Sequence, residues 1–208
     1  MTESEAKNRI VASVSRETLA RLETYEQLLR KWQARVNLVS NGTLPELWSR
    51  HFLDSIQLLQ HAPKEAELWL DLGSGGGFPG LVCAICAEDY GIDGQFQLVE
   101  SDTRKCAFLR EVARQTEADV TVHNSRIEAL VPAAAGIVTA RALAPLPRLL
   151  NWVHRHMRPD GTCLLQKGAG HGLELETARA DWQMDVEIHP SVTAPDSVIL
   201  RIRNLTHA

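Results

Sequence analysis

The stretch Leu68-Trp69-Leu70-Asp71-Leu72-Gly73-Ser74-Gly75-Gly76-Gly77-Phe78-Pro79-Gly80 sets a short apolar run directly before a glycine-rich turn and the start of a helix. A buried parallel strand reads as a continuous apolar run. Glycines at the following turn let the backbone take positive φ and let a ligand approach without meeting a Cβ. Glu100 closes the next apolar run, where a carboxylate can accept hydrogen bonds from both hydroxyls of a ribose. Strand, glycine turn, helix, strand and acid thus occur in the order a nucleotide-binding α/β unit requires. Asp71, at the end of the first strand, is expected to orient the loop or to meet the positive end of an amino-acid ligand.

Outward from this unit, short apolar runs alternate with helical stretches, the pattern of a mostly parallel sheet with crossover helices. Strands are expected at residues 68–70, 96–99, 120–122, 136–140, 163–166, 186–188 and 198–202, and helices at 80–87, 103–116, 147–156 and 173–180. The fold class is therefore α/β, Rossmann-like, with seven strands and helices on both faces. Before it, Leu19, Leu22, Leu28, Leu29, Trp32 and Val36 recur at three- and four-residue steps and predict an amphipathic helix over residues 15–37. A second helix is expected over 43–60, with Thr43 capping its first turn and Glu46 reaching back. The division expected is a helical extension at 1–62 and a ligand-binding domain at 63–208.

The chain has 208 residues, 44% of them hydrophobic and 23% charged, enough for a sizeable core without metals or disulfides. It has no long uncharged apolar run and no signal-like start, so a cytoplasmic protein off the membrane is expected, acting as a monomer. Cys83, Cys86, Cys106 and Cys163 are too few and scattered for a disulfide framework; Cys83-x-x-Cys86 lies in an apolar helical stretch and reads as core. The net charge of −4 argues against a protein coated in basic surface. One local patch stands out, because Arg141, Arg148, Arg155, Arg158 and Lys167 face only Asp160 across residues 141–167. It reads equally as a solvated helix face or as a grip on nucleic acid.

Two ligands with a ribose suit the loop. A nicotinamide dinucleotide prefers G-x-G-x-x-G, yet Phe78 fills the last position counted from Gly73, and the spacing is G-x-G-x-G instead. S-adenosylmethionine is the other candidate, and Glu100 could hold the ribose of either, so the acid alone does not choose between them. Methyl transfer from a sulfonium needs positioning and desolvation more than proton transfer when the acceptor has a free lone pair. After the fourth strand the sequence Thr139-Ala140-Arg141-Ala142-Leu143-Ala144 lacks the Asn/Asp-Pro-Pro-aromatic pattern of exocyclic-amine methyltransferases. Cys163 opens a strand and reads as core, so a ring nitrogen such as guanine N7 is the apt acceptor.

At these residues the chain resembles the bacterial 16S rRNA guanine-N7 methyltransferase family, also called glucose-inhibited division protein B. The pieces that carry the likeness are Trp32–Ser40 (WQARVNLVS), Arg50–Ser55 (RHFLDS), Asp71–Gly80 (DLGSGGGFPG), Ser125–Glu128 (SRIE), Thr139–Ala142 (TARA) and Gln166–Gly168 (QKG), in this order along nearly the whole chain. The resemblance implies a class I fold and S-adenosylmethionine as methyl donor, with no metal. It implies contacts to that ligand from Gly73, Phe78, Ile127, Glu128 and Arg141, to which the loop reading adds Gly75, Gly77 and Glu100. Read by itself, the Arg126–Glu128 stretch is as well a surface ion pair. The implied partner is 16S rRNA or the small ribosomal subunit, with Arg141, Lys167 and His51 as candidates for positioning RNA and no catalytic residue assigned. His51 and Asp54, three residues apart on one helix face, either reach the site's mouth or merely cap and pair. Two rivals share parts of the pattern: an NAD-dependent oxidoreductase, and a noncatalytic ribosome assembly factor that binds S-adenosylmethionine and RNA.

Overall fold

In the computed structural model, which describes all 208 residues, seven strands form one sheet in the order β3-β2-β1-β4-β5-β7-β6. The strands are β1 (Glu65–Leu72), β2 (Asp93–Glu100), β3 (Val120–Asn124), β4 (Ala135–Arg141), β5 (Met157–Lys167), β6 (Trp182–Pro190) and β7 (Val198–His207). The first five run parallel, and β7 returns antiparallel between β5 and β6. The expected mostly parallel seven-stranded sheet is thus observed. Because side chains alternate across a strand, Trp69 enters the core on one face and Leu70 the core on the other.

Each face carries its own helices. On the first lie α1 (Glu3–Val11), α2 (Arg16–Gln33), α4 (Gly80–Cys86) and α5 (Thr103–Thr116); on the second lie α6 (Leu146–His156) and α7 (His171–Ala178). Tyr25 and Leu29 of α2 share one core with Leu81 of α4 and Phe108 of α5. All four cysteines are free and buried, as the core reading of Cys83 and Cys86 requires. No helix is long and apolar enough to cross a membrane.

The N-terminal region departs most from the sequence reading. Residues 1–9 read only as polar, yet a capping box joins Thr2 and Glu5 and starts α1, which buries Ala6 and Ile10 one turn apart. The helix expected over 43–60 is a chain of short turns: Leu44–Glu46, a wide π turn at Trp48–Leu53, α3 (Asp54–Ile56) and Gln57–Gln60. Thr43 does not cap it and Glu46 does not reach back. Instead the Glu3 carboxylate of α1 accepts from the amides of Trp48 and Ser49 at 2.8 and 2.9 Å, supplying from a distant element the anion a helix start favours.

Candidate functional site

Strand order reverses at β1, whose neighbours β2 and β4 leave in opposite directions, and a crevice opens where their carboxyl ends diverge. The glycine turn is stitched into it: the amides of Gly73 and Ser74 donate to Val99 O at 2.9 and 3.0 Å. Glu100 accepts from the amide of Gly75 at 2.9 Å through Oε2 and from that of Asp102 at 2.8 Å through Oε1. A carboxylate offers about four acceptor positions, so roughly half remain for a sugar. A cavity of about 310 Å³ lies here, bordered by Gly73, Gly75, Glu100, Ile127, Glu128 and Arg141. Gly75 has φ +56°, and a Cβ on it would meet nothing nearer than Gly73 O at 3.8 Å, so the loop leaves an open cradle. Arg126 and Glu128 form no ion pair; both are exposed at this cavity's rim.

Gly77 and Phe78 lie on the other side of the loop and do not border the cavity. A Cβ on Gly77 would stand 2.1 Å from Tyr25 Oη. Phe78 is buried, its ring stacked on Tyr25 at 5.5 Å, and the Tyr25 hydroxyl donates to Gly76 O at 2.5 Å. Burial drives the phenol's pKa up, which keeps it the donor. The role of this pair in the structure is to clamp the loop against α2. Sequence reasoning also passed over Trp152 of α6, which borders the cavity with Arg148 4.9 Å over its ring.

A second cavity, of about 400 Å³, adjoins the first, and Arg141 and Ala142 border both. Its wall includes His51, Asp54, Gln57, Gln166, Lys167 and Thr193. Arg141 Nη1 donates to Arg50 O at 2.9 Å and to Asp54 Oδ2 at 3.3 Å, while Nη2 meets His51 Nδ1 at 2.7 Å. Since a guanidinium only donates, Nδ1 accepts, and the ring's proton sits on Nε2, 2.9 Å from Thr43 Oγ1. Burial, then the charges of Arg141 and Arg50, lower the His51 pKa to about 3, so the ring stays neutral. His51 and Asp54 do not bond each other; each meets the Arg141 guanidinium, and both stand on the wall of this cavity.

Lys167 borders this cavity, but its ammonium is held by Glu174 at 2.6 Å and Ala144 O at 3.2 Å. The basic patch along residues 141–167 is not one surface. Arg158 stands near the start of β5, in a bulge at residues 158–161, and Lys167 stands at its opposite end. Arg158 pairs with Asp160 at 2.9 Å, away from the crevice. Of the patch, only Arg141, Arg148 and Lys167 border the two cavities.

Asp71 lies beneath the loop, fully buried, with Oδ1 accepting from the Thr139 hydroxyl at 2.7 Å and Oδ2 unpartnered. It borders neither cavity. Burial pushes its pKa up to about 6. Because the folded form holds its proton longer than the unfolded chain, Asp71 costs stability as pH rises from about 4 to about 6, by about 3 kcal/mol in all. His51 acts in the opposite sense: its folded pKa is depressed, so stability is lost as pH falls from 6.5 towards 3. Asp71→Asn is expected to remove the first effect alone, so that denaturation at pH 4.5, 5.5 and 6.5 shows stability climbing with pH more steeply than in the wild type. Equal slopes would mean that Asp71 ionises freely in the folded state.

Comparison with known proteins adds a second line. The family model described as rRNA small subunit methyltransferase G matches residues 18–203. The ribosomal RNA small subunit methyltransferase G of Parvibaculum lavamentivorans is 54% identical over 197 residues, covering 94% of this chain and 87% of its own. That of Cereibacter sphaeroides strain ATCC 17025 is 46% identical over 207 residues, covering all of both chains. Among solved structures, a ribosomal protein L11 methylase from Lactobacillus delbrueckii subsp. bulgaricus aligns at TM-score 0.58 with 19% identity, over 74% of this chain and 77% of its own. A SAM-dependent methyltransferase from Aquifex aeolicus aligns at 0.56 with 14% identity, over 76% and 92%. These distant structures share the fold.

Proposed function

The chain belongs to the rRNA small subunit methyltransferase G family, and from that premise we propose that it transfers the methyl group of S-adenosylmethionine to N7 of a guanine in 16S ribosomal RNA. Membership sets aside the oxidoreductase reading. The loop cradle and Glu100 would hold the methyl donor, with Ile127 and Glu128 beside its adenine. When bound, the sulfonium supplies the methyl group: the carbon–sulfur electron pair stays with sulfur, and the positive charge passes to the base.

The observation that carries the choice of acceptor is the junction at Arg141. The groups there that ordinarily take up protons are already engaged: His51 Nδ1 accepts from Arg141, and the Asp54 carboxylate takes four side-chain donors. An acceptor with its own lone pair, such as N7, asks for no base. The chain's part is then to bind, to orient and to exclude water. A ribosomal substrate places the protein in the cytoplasm. Cleavage at 7-methylguanine in small-subunit RNA, from cells with and without the protein, tests the proposal. A cleavage site present only with the protein is expected; identical patterns would refute it, and labelled methyl transfer to purified subunits separates an enzyme from a factor that merely binds.

A further inference from the structure

Gln166, next to last in β5, stands on the wall of the second cavity and is 9% exposed. Its amide has one possible orientation. The nitrogen Nε2 lies 2.7 Å from Asp54 O and 2.6 Å from Asp54 Oδ2, two atoms that only accept. The carbonyl Oε1 therefore points the other way, and no donor in the protein meets it. Asp54 itself is taken up, with Oδ1 accepting from Gln57 and Thr193 and Oδ2 from Gln166 and Arg141. A buried carbonyl left unpaired is a standing cost that a ligand's donor relieves. Arg141, at the junction of the two cavities, uses only three of its five N–H groups.

We propose that the second cavity reads the edge of the target guanine, with Arg141 donating to O6 and Gln166 Oε1 accepting from the 2-amino group. Around guanine the polar groups run N7, O6, N1–H and 2-amino. With O6 at Arg141, N7 turns towards the glycine-loop cavity and the amino group towards Gln166. Adenine presents an amino donor where O6 would be and has no 2-amino group, so both contacts fail. Oε1 is shielded from solvent on a residue that lines the cavity, so the contact requires the amide to tilt, which forfeits no bond at Oε1. This inference rests on the methylation reading above.

The test compares small-subunit RNA carrying guanine with the same RNA carrying inosine at the methylated position; inosine keeps N7 and O6 and lacks only the 2-amino group. For the wild type, kcat/KM on inosine RNA is expected to fall about 5- to 10-fold, the worth of one hydrogen bond. In Gln166→Met, and in the shorter Gln166→Asn, guanine RNA should fall at least to the wild-type inosine level, since the Nε2 bonds to Asp54 are lost as well, and the guanine-to-inosine ratio should approach one. Calorimetric binding of S-adenosylhomocysteine within twofold of wild type shows that the variants are folded. A ratio unchanged between wild type and both variants would overturn the role of Gln166 while leaving methylation intact. Failure of the wild type to methylate guanine RNA would instead overturn the methylation reading, and this one with it.

Discussion

Asp54→Ala is expected to lower kcat/KM for RNA methylation by about 10²–10³-fold, the scale on which misplacing a reacting group by roughly an ångström acts, while the affinity for S-adenosylhomocysteine changes far less. The carboxylate gathers donors from four elements: Gln57 at 2.8 Å, Thr193 at 2.8 Å, Gln166 at 2.6 Å and Arg141 at 3.3 Å. Without it, Arg141 keeps a charge that burial already disfavours and that Asp54 restores. The guanidinium would then swing towards water, and Gln166 would be free to turn over. Glu100 and Gly75, which line the other cavity, touch none of these groups. Asp54→Asn keeps one accepting oxygen but sets an N–H against donors, so an intermediate loss is expected. Steady-state kinetics beside calorimetry reads both quantities; Asp54→Ala activity within threefold of wild type would remove Asp54 from the site.

The sheet was legible because its central strands are buried on both faces and so read as unbroken apolar runs; Ile137 to Ala140 has no exposed residue. The hairpin of β6 and β7 was cut short for the opposite reason. Along β6, exposed Gln183, Asp185 and Glu187's half-exposed carboxylate alternate with Met184 and Val186, and only the apolar middle stood out. Helix α1 went unseen because its buried face is only Ala6 and Ile10, too narrow a stripe among charges. For the site, Gly73, Gly75 and Glu100 were readable since one strand–turn–strand unit holds them. Of the second cavity, His51, Asp54, Arg141 and Lys167 were named one by one, but their meeting was not readable, because its contacts join residues as far apart as Asp54 and Thr193, 139 positions along the chain. Glycine spacing likewise reports positive φ without saying which way the missing side chain would point. Gly75 opens into the cavity, whereas Gly77 backs onto Tyr25.

That difference predicts opposite outcomes for one substitution at two glycines. Gly77→Ala is expected to destabilise the fold by about 3 kcal/mol or more. Its φ of +93° lies where a side chain is strained by about 1–3 kcal/mol, and the new methyl would stand 2.1 Å from Tyr25 Oη, a contact that forces the ring or the loop to move. The ring has little freedom, wedged among Phe52, Phe78 and Phe108. Tyr25→Phe alone should cost about 1–3 kcal/mol, since it strips Gly76 O of its donor. In the double variant the offending oxygen is gone, so urea denaturation should show the two costs summing to at least about 1 kcal/mol less than the singles predict; strict additivity would place the strain elsewhere. Gly75→Ala should behave otherwise. Its φ of +56° is left-handed helical and costs alanine about 1 kcal/mol, and no atom closer than 3.8 Å resists the methyl. The added group projects into the space beside Glu100, so stability should change little while the affinity for S-adenosylhomocysteine drops. Loss of stability at Gly77 with loss of binding at Gly75 would separate the clamp from the cradle within one loop.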